Sequence, residues 1–175
     1  MVKKLALLLT TLAITACSEQ PQVEKKQEVK KEVEQTTLSV YKAQAQSLLG
    51  EIRSKSSAQA LEQDSAQLVA TSRILLNEFV AKYPQCQTYL DALDAAADTI
   101  PTLPLEEIES GYHADGKLPK FDDPVCYHAK DLLVHPATVQ AIAKQGFNFE
   151  TAYEDAELEI VEVIAHFDQV EKALK

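Results

Sequence analysis

The sequence has 175 residues, with 27 acidic and 17 basic side chains and a formal net charge of −10. A chain this acidic repels phosphate groups, which argues against a nucleic-acid-binding protein and against a membrane contact made by basic side chains. The absence of Trp and the presence of only four Gly residues favour compact helices over an aromatic-rich β-sandwich.

The first segment has the pattern of an export signal. Lys3 and Lys4 precede an uncharged, mostly apolar run over residues 5–16, and polar sequence follows directly. This run is shorter than the roughly 20 apolar residues that a membrane-spanning helix needs. We therefore expect a signal sequence and not a spanning helix.

The end of that run, ITAC at 14–17, resembles the lipobox of bacterial lipoprotein precursors. The resemblance implies a signal peptide at 1–16 and a diacylglycerol thioether on Cys17, which becomes the acylated first residue after cleavage. Each buried methylene of an acyl chain contributes about 0.8 kcal/mol, so several chains anchor a protein stably to the membrane. The alternative is an ordinary signal, cleaved after Ala16, with Cys17 free or disulfide-bonded.

Ser18 follows the cysteine, which resembles the default for lipoproteins sent to the outer membrane of Gram-negative bacteria. The resemblance thus implies a location in the cell envelope, with a lipid anchor in the outer membrane and a protein domain facing the periplasm.

The segment after Cys17 is dense in Glu, Gln and Lys and poor in large apolar residues. Such a composition cannot bury enough surface to fold, so residues 17–38 are predicted to form a flexible, disordered tether. Val23, Val29 and Val33 offer the alternative of a short coiled coil. The remaining chain, 39–175, is long enough for one domain with its own core and too short for two.

The first half of this domain has helical periodicity. Apolar residues recur at spacings of three and four over 38–83, which predicts one long helix or two helices divided near 54–57 and stopped by Pro84. A shorter helix is expected at 87–97, followed by a Pro-bounded turn at 100–104.

The second half predicts further helices at 105–113, 125–134, 136–145 and 149–174. His135 precedes a proline, a position biased away from the helical conformation, so the sequence separates the second and third of these segments there. The last segment has the clearest apolar stripe, formed by Ile160, Val163, Ile164, Phe167, Val170 and Leu174.

Strand patterns find little support in this sequence. We therefore predict an all-α fold, a compact helical bundle of about five to seven helices. An irregular polar loop region is expected around GYHADGKLPKFDDP at 111–124.

Cys86 and Cys126 are the two cysteines that remain beyond Cys17. In an exported protein they predict one disulfide, which would tie the 87–97 helix to the start of the 125–134 helix. Loop entropy gives such a bond a stabilisation of roughly 4 kcal/mol. The alternative is two buried thiols; a redox role is disfavoured because no C-x-x-C occurs.

Candidate metal ligands gather in the region that this disulfide brackets. Glu109 and His113 are spaced i, i+4, His128 and Asp131 are spaced i, i+3, and His135 follows. Each pair can share one helix face, and a divalent transition metal uses this mix of imidazole and carboxylate groups. The metal hypothesis predicts that the imidazoles of His113 and His128 approach a shared point. The alternative is that the histidines cap helix ends and bond backbone carbonyls.

Two further observations bear on the site. His166, with Glu162 one turn back and Glu159 two turns back, is interpreted as a partly exposed position at a helix edge. The segment ESGYHADG resembles the part of imelysin-like periplasmic proteins that carries a His-x-x-Glu metal motif in a helical fold associated with iron uptake. Gly116 stands three positions after His113, where that motif has its carboxylate, so no domain family is assigned.

Catalytic motifs are lacking: the sequence has no G-x-S-x-G, no phosphate-binding glycine loop and no H-E-x-x-H. We therefore expect a membrane-anchored lipoprotein whose domain binds a ligand or an envelope protein without catalysing a reaction and without a cofactor. The alternative is a metal-binding or metal-handling lipoprotein that uses the His/carboxylate cluster.

Overall fold

The computed structural model describes residues 35–175, and all regular structure in this part of the chain is helical. The predicted all-α bundle is therefore confirmed. The predicted signal peptide at 1–16, the predicted lipidation site Cys17 and the predicted tether up to residue 34 lie outside the described residues. The α-helices are α1 (Thr37–Arg53), α2 (Ala58–Lys82), α3 (Gln87–Ala96), α4 (Leu105–Ile108), α5 (Val125–Lys144), α6 (Ala152–Ala165) and α7 (Phe167–Leu174). Among the described residues, no helix is long and apolar enough to cross a membrane.

The first two helices confirm the predicted division near 54–57. The side chain of Thr36 caps α1 by accepting from the N–H of Ser39, and that of Ser57 caps α2 by accepting from the N–H of Ala60. These N-caps satisfy backbone donors that a helix start leaves free. Because of the Thr36 cap, α1 begins two residues before the predicted start of the domain, and Leu38 is already buried.

Helix α5 lies at the centre of the bundle and packs against both α2 and α6. Every residue from 129 to 139 is buried. A helix that is buried all round is normally apolar throughout, yet this stretch includes Lys130, Asp131, His135 and Thr138. The polar side chains of α5 therefore need partners inside the protein.

The predicted break between His135 and Pro136 is wrong, because α5 runs through both residues without interruption. A proline within a helix leaves the carbonyl four residues earlier without its N–H donor. Here that carbonyl belongs to Leu132, and it accepts hydrogen bonds from the hydroxyl of Tyr41, at 2.7 Å, and from the hydroxyl of Ser72. Side chains from α1 and α2 thus replace the missing backbone bond.

The predicted single helix at 149–174 is also divided. Helix α6 begins at Ala152 and ends at Ala165, and α7 begins at Phe167. The N–H of His166 is shared between the carbonyls of Glu162 and Val163, a bifurcated bond typical of helix ends. The apolar stripe continues across this turn, so periodicity alone does not reveal it.

The Cys86–Cys126 disulfide is present, with the two Cα atoms 5.3 Å apart. Both cysteines are fully buried. The bond joins the 3₁₀ turn Pro84–Cys86, just before α3, to the first turn of α5. It therefore closes the loop that carries α3, α4 and the segment leading to His113.

Candidate metal centre

Four of the five predicted metal ligands line one cavity of about 290 Å³. Glu109, His113, Asp131 and His135 are among its walls, whereas His128 is not. The remaining lining residues are Tyr127, Lys130, Glu159, Glu162 and His166. The cavity thus lies where α5, α6 and the segment after α4 meet.

A π-helical turn, Glu109–His113, follows α4 and carries His113 to the cavity. The N–H of Ala114 donates to the carbonyl of Glu109 five residues earlier, which is the hydrogen-bond spacing of a π-helix. The ammonium group of Lys130 donates to the carbonyl of His113 at 2.8 Å and so fixes the end of the turn. Such π-turns are frequent at functional sites because they redirect a side chain within a helix.

Gly116 allows the chain to fold back after this turn. A Cβ at this position would lie 2.3 Å from the backbone oxygen of Ser110, which no larger residue can tolerate. The N–H of Gly116 donates to the same oxygen at 3.1 Å. The glycine that departs from the His-x-x-Glu pattern therefore has a structural role here.

His113, His135 and Glu159 form the tightest group of potential ligands, with one ligand atom from each lying within 4.8 Å of the others. Oε2 of Glu159 is 2.6 Å from Nδ1 of His135 and 3.6 Å from Nε2 of His113. A tetrahedral zinc ion with bonds of 2.0–2.1 Å separates its ligand atoms by about 3.3 Å. Side-chain shifts within about 1 Å therefore suffice to place a metal ion between these atoms.

The two histidines have opposite electrostatic environments. Burial lowers the pKa of His113 below its usual 6.5, although the charge of Glu159 opposes this shift. Burial also lowers the pKa of His135, but the carboxylates of Asp131 and Glu159 outweigh it and raise that pKa to about 9. At neutral pH, His113 is therefore uncharged and His135 holds a proton next to Glu159.

The hydrogen bonds of His113 fix its tautomer in this state. The hydroxyl of Thr138 donates to the carbonyl of Val134 at 2.9 Å, so its oxygen accepts from Nε2 of His113 at 3.0 Å. Coordination of a metal ion by this nitrogen therefore requires its proton to move to Nδ1, and the bond to Thr138 is then given up.

Two polar atoms on the other side of His135 have no hydrogen-bond partner. They are Oδ2 of Asp131 and Nδ1 of His166, both buried. They lie 3.4 Å apart without hydrogen-bond geometry, and the Asp131 side chain is only 3% exposed. An unsatisfied buried polar group costs about 1–3 kcal/mol. The protein alone provides no hydrogen bond that would offset this cost for the two atoms.

The position of His128 differs from the expectation that it would approach His113. His128 precedes His135 by seven residues on α5, which is about 10 Å along the axis at 1.5 Å per residue. The π-turn brings His113 to the level of His135 and Thr138 instead. The Nδ1 atom of His128 is buried without a hydrogen-bond partner, away from the cavity.

Sequence reasoning missed the contribution of α6 and its C-cap to the cavity, because it interpreted His166 only as a partly exposed position at a helix edge. Glu159, Glu162 and His166 all line the cavity. A usable signal was present, because Glu162 and His166 are spaced i, i+4, as are Asp131 and His135. Two such pairs on neighbouring helices can face each other.

The fold and the cavity define an all-α domain with a buried cluster of histidines and carboxylates between helices. No protein-family model matches the sequence, and comparisons with curated proteins and with solved structures find no significant match. The functional assignment therefore rests on the geometry of the cavity.

Proposed function

We propose that this protein is a lipid-anchored envelope lipoprotein whose helical domain is a non-catalytic binding module for a divalent transition metal ion. The observation that carries the proposal is the approach of His113, His135 and Glu159 within 4.8 Å at the wall of an open cavity. Two imidazoles and one carboxylate form a known zinc ligand set, in which water takes the fourth position.

The surroundings of the three ligands support metal binding. Glu159 and His113 are mostly buried, with side chains 20% and 15% exposed, so the metal ion would be largely shielded from solvent. Nε2 of His135 lies 3.5 Å from Glu162 and 3.7 Å from Asp131. Carboxylates placed in this way orient a metal-bound imidazole and raise its basicity.

The protonation states determine how the ion would bind. His113 is already uncharged at neutral pH, whereas His135 must release its proton before Nδ1 can coordinate. The ion would replace this proton as the positive charge next to Glu159. Metal binding should therefore release protons and strengthen as the pH rises.

The lipoprotein part of the proposal is supported by ITAC at 14–17 and by the charged segment that follows it. The non-catalytic part is supported by a sequence without a recognised catalytic motif. In this proposal, the anchor keeps the metal site at the membrane surface, and the tether sets its reach.

A zinc titration of the full processed chain tests the metal site. His113→Ala and Glu159→Gln should each weaken the tightest site on the order of 100-fold or more, because they remove ligands. His128→Ala is the matched control, since this histidine lies on the same helix as His135 but outside the cavity. Zinc binding that is absent, or equally strong in all three variants, would refute the proposal.

A further inference from the structure

The side of the cavity beyond His135 has polar atoms that do not coordinate the ion of the proposed metal site. Oδ2 of Asp131 and Nδ1 of His166 are buried, unpartnered and 3.4 Å apart. Asp131 is 97% buried, so water in the bulk solvent does not satisfy its free oxygen. Glu162 lines the same cavity from α6, with its side chain largely exposed and Oε2 3.5 Å from Nε2 of His135.

These groups come from two facing helical pairs. Asp131 and His135 are one turn apart on α5, and His166 caps the C-terminal end of α6 one turn after Glu162. Each residue of the first pair contacts one residue of the second pair: Asp131 contacts His166, and His135 contacts Glu162. Two i, i+4 pairs on packed helices can direct four ligand-type side chains to a common space.

Charge also favours a further cation. Four carboxylates line the cavity, those of Glu109, Asp131, Glu159 and Glu162. The ammonium group of Lys130 is already bonded to the carbonyl of His113 and to Asp115. When a metal ion displaces the proton of His135, one divalent ion still leaves the cavity with excess negative charge.

We propose a second divalent transition metal site formed by Asp131, Glu162 and His166, next to the site at His113, His135 and Glu159. Oδ2 of Asp131 and Nδ1 of His166 are the two fixed ligands, Glu162 closes over the ion, and water fills the remaining positions. Nε2 of His135 keeps its proton and faces Oδ1 of Asp131, so one imidazole lies between two ions without binding both. This inference extends the proposed metal function, but it rests on a different set of side chains.

The stoichiometry of zinc tests the second site in the full processed chain. Elemental analysis after equilibration with zinc should give two ions per chain for the native protein and for His128→Ala. Asp131→Asn and His166→Ala should each leave one ion, and so should His113→Ala. The double variant His113→Ala/His166→Ala should bind none.

The outcomes separate the two sites. Loss of one ion in Asp131→Asn and His166→Ala, with no change in His113→Ala, would keep the second site and overturn the first. One ion per native chain, unaffected by Asp131→Asn and His166→Ala, would overturn the second. Circular dichroism of each variant checks folding, and anomalous diffraction of zinc-loaded native crystals gives an independent count, in which a single peak overturns the proposal.

Discussion

Two buried polar regions along α5 differ in how well their groups are satisfied. On the side of α1 and α2, the carbonyl of Leu132, freed by Pro136, accepts from Tyr41 and Ser72. On the side of α6, Oδ2 of Asp131 has no hydrogen-bond partner although the Asp131 side chain is only 3% exposed. We call these regions the Leu132 carbonyl site and the metal cavity.

This difference separates a buried polar group that is satisfied within the protein from one that is not. Most buried polar groups in proteins are hydrogen-bonded, and each exception calls for an explanation. At the Leu132 carbonyl site, the two hydroxyl donors replace the backbone hydrogen bond that Pro136 removes, so every buried group there is satisfied within the protein. In the metal cavity, unpartnered groups and several carboxylates remain, which is the arrangement expected where a ligand completes the site.

The largest effect should come from breaking the disulfide that holds the loop leading to His113. Cys86→Ala/Cys126→Ala should lower the free energy of unfolding by up to about 4 kcal/mol, because an unfolded chain without this cross-link has more conformational entropy than the cross-linked one. Urea denaturation measures this loss. We also expect weaker zinc binding, since His113 reaches the cavity from this loop. A decrease in the free energy of unfolding of less than about 1 kcal/mol would show that helix packing alone holds the loop.

The metal cavity should make stability depend on pH in the metal-free protein. The folded pKa of His135 is raised from 6.5 to about 9, so its stabilisation is full below pH 6.5 and is lost as the pH rises through 9. The loss amounts to about 3 kcal/mol. Urea denaturation across this range should show the decline.

Two controls assign this decline to the cavity. In His135→Gln, the decline between pH 6.5 and 9 should disappear because the titrating group is absent. Saturating zinc should also abolish it, because the ion takes the place of the proton. An unchanged decline in His135→Gln would place its origin in another group.

The smallest effect should come from the Leu132 carbonyl site. Tyr41→Phe/Ser72→Ala should destabilise the protein by about 1–3 kcal/mol, because it leaves a buried carbonyl unsatisfied. Each single variant should cost less, since one donor remains. Zinc binding should not change in either case. A loss of zinc in the double variant would contradict the separation of the two regions along α5.

The sequence predicted some elements well because their signals are local. The division of α1 from α2 follows from polar residues near 54–57, and Ser57 supplies the cap. The disulfide followed from the cysteine count in a chain for which an export signal is predicted. The position of His135 could not be predicted in this way, since the bias imposed by Pro136 is local and the donors that overcome it, Tyr41 and Ser72, are distant in sequence.

The candidate site was partly predictable for the same reason. Spacing identified Glu109, His113, His128 and Asp131 as candidate ligands and proximity in sequence added His135; all of them except His128 line the cavity. The prediction that the imidazoles of His113 and His128 approach a shared point is wrong, because the π-turn places His113 beside His135 and Thr138 instead.

By itself, the sequence determined the helical class, most helix limits and the residue types available for metal binding, because periodicity, capping and composition act over a few residues. Only the tertiary structure decided that α5 passes through Pro136 and that His135 is buried beside Glu159. Only the packing of α6 on α5 placed Asp131 against His166. Contacts between helices fix these features, and no local pattern encodes which faces of two helices will meet.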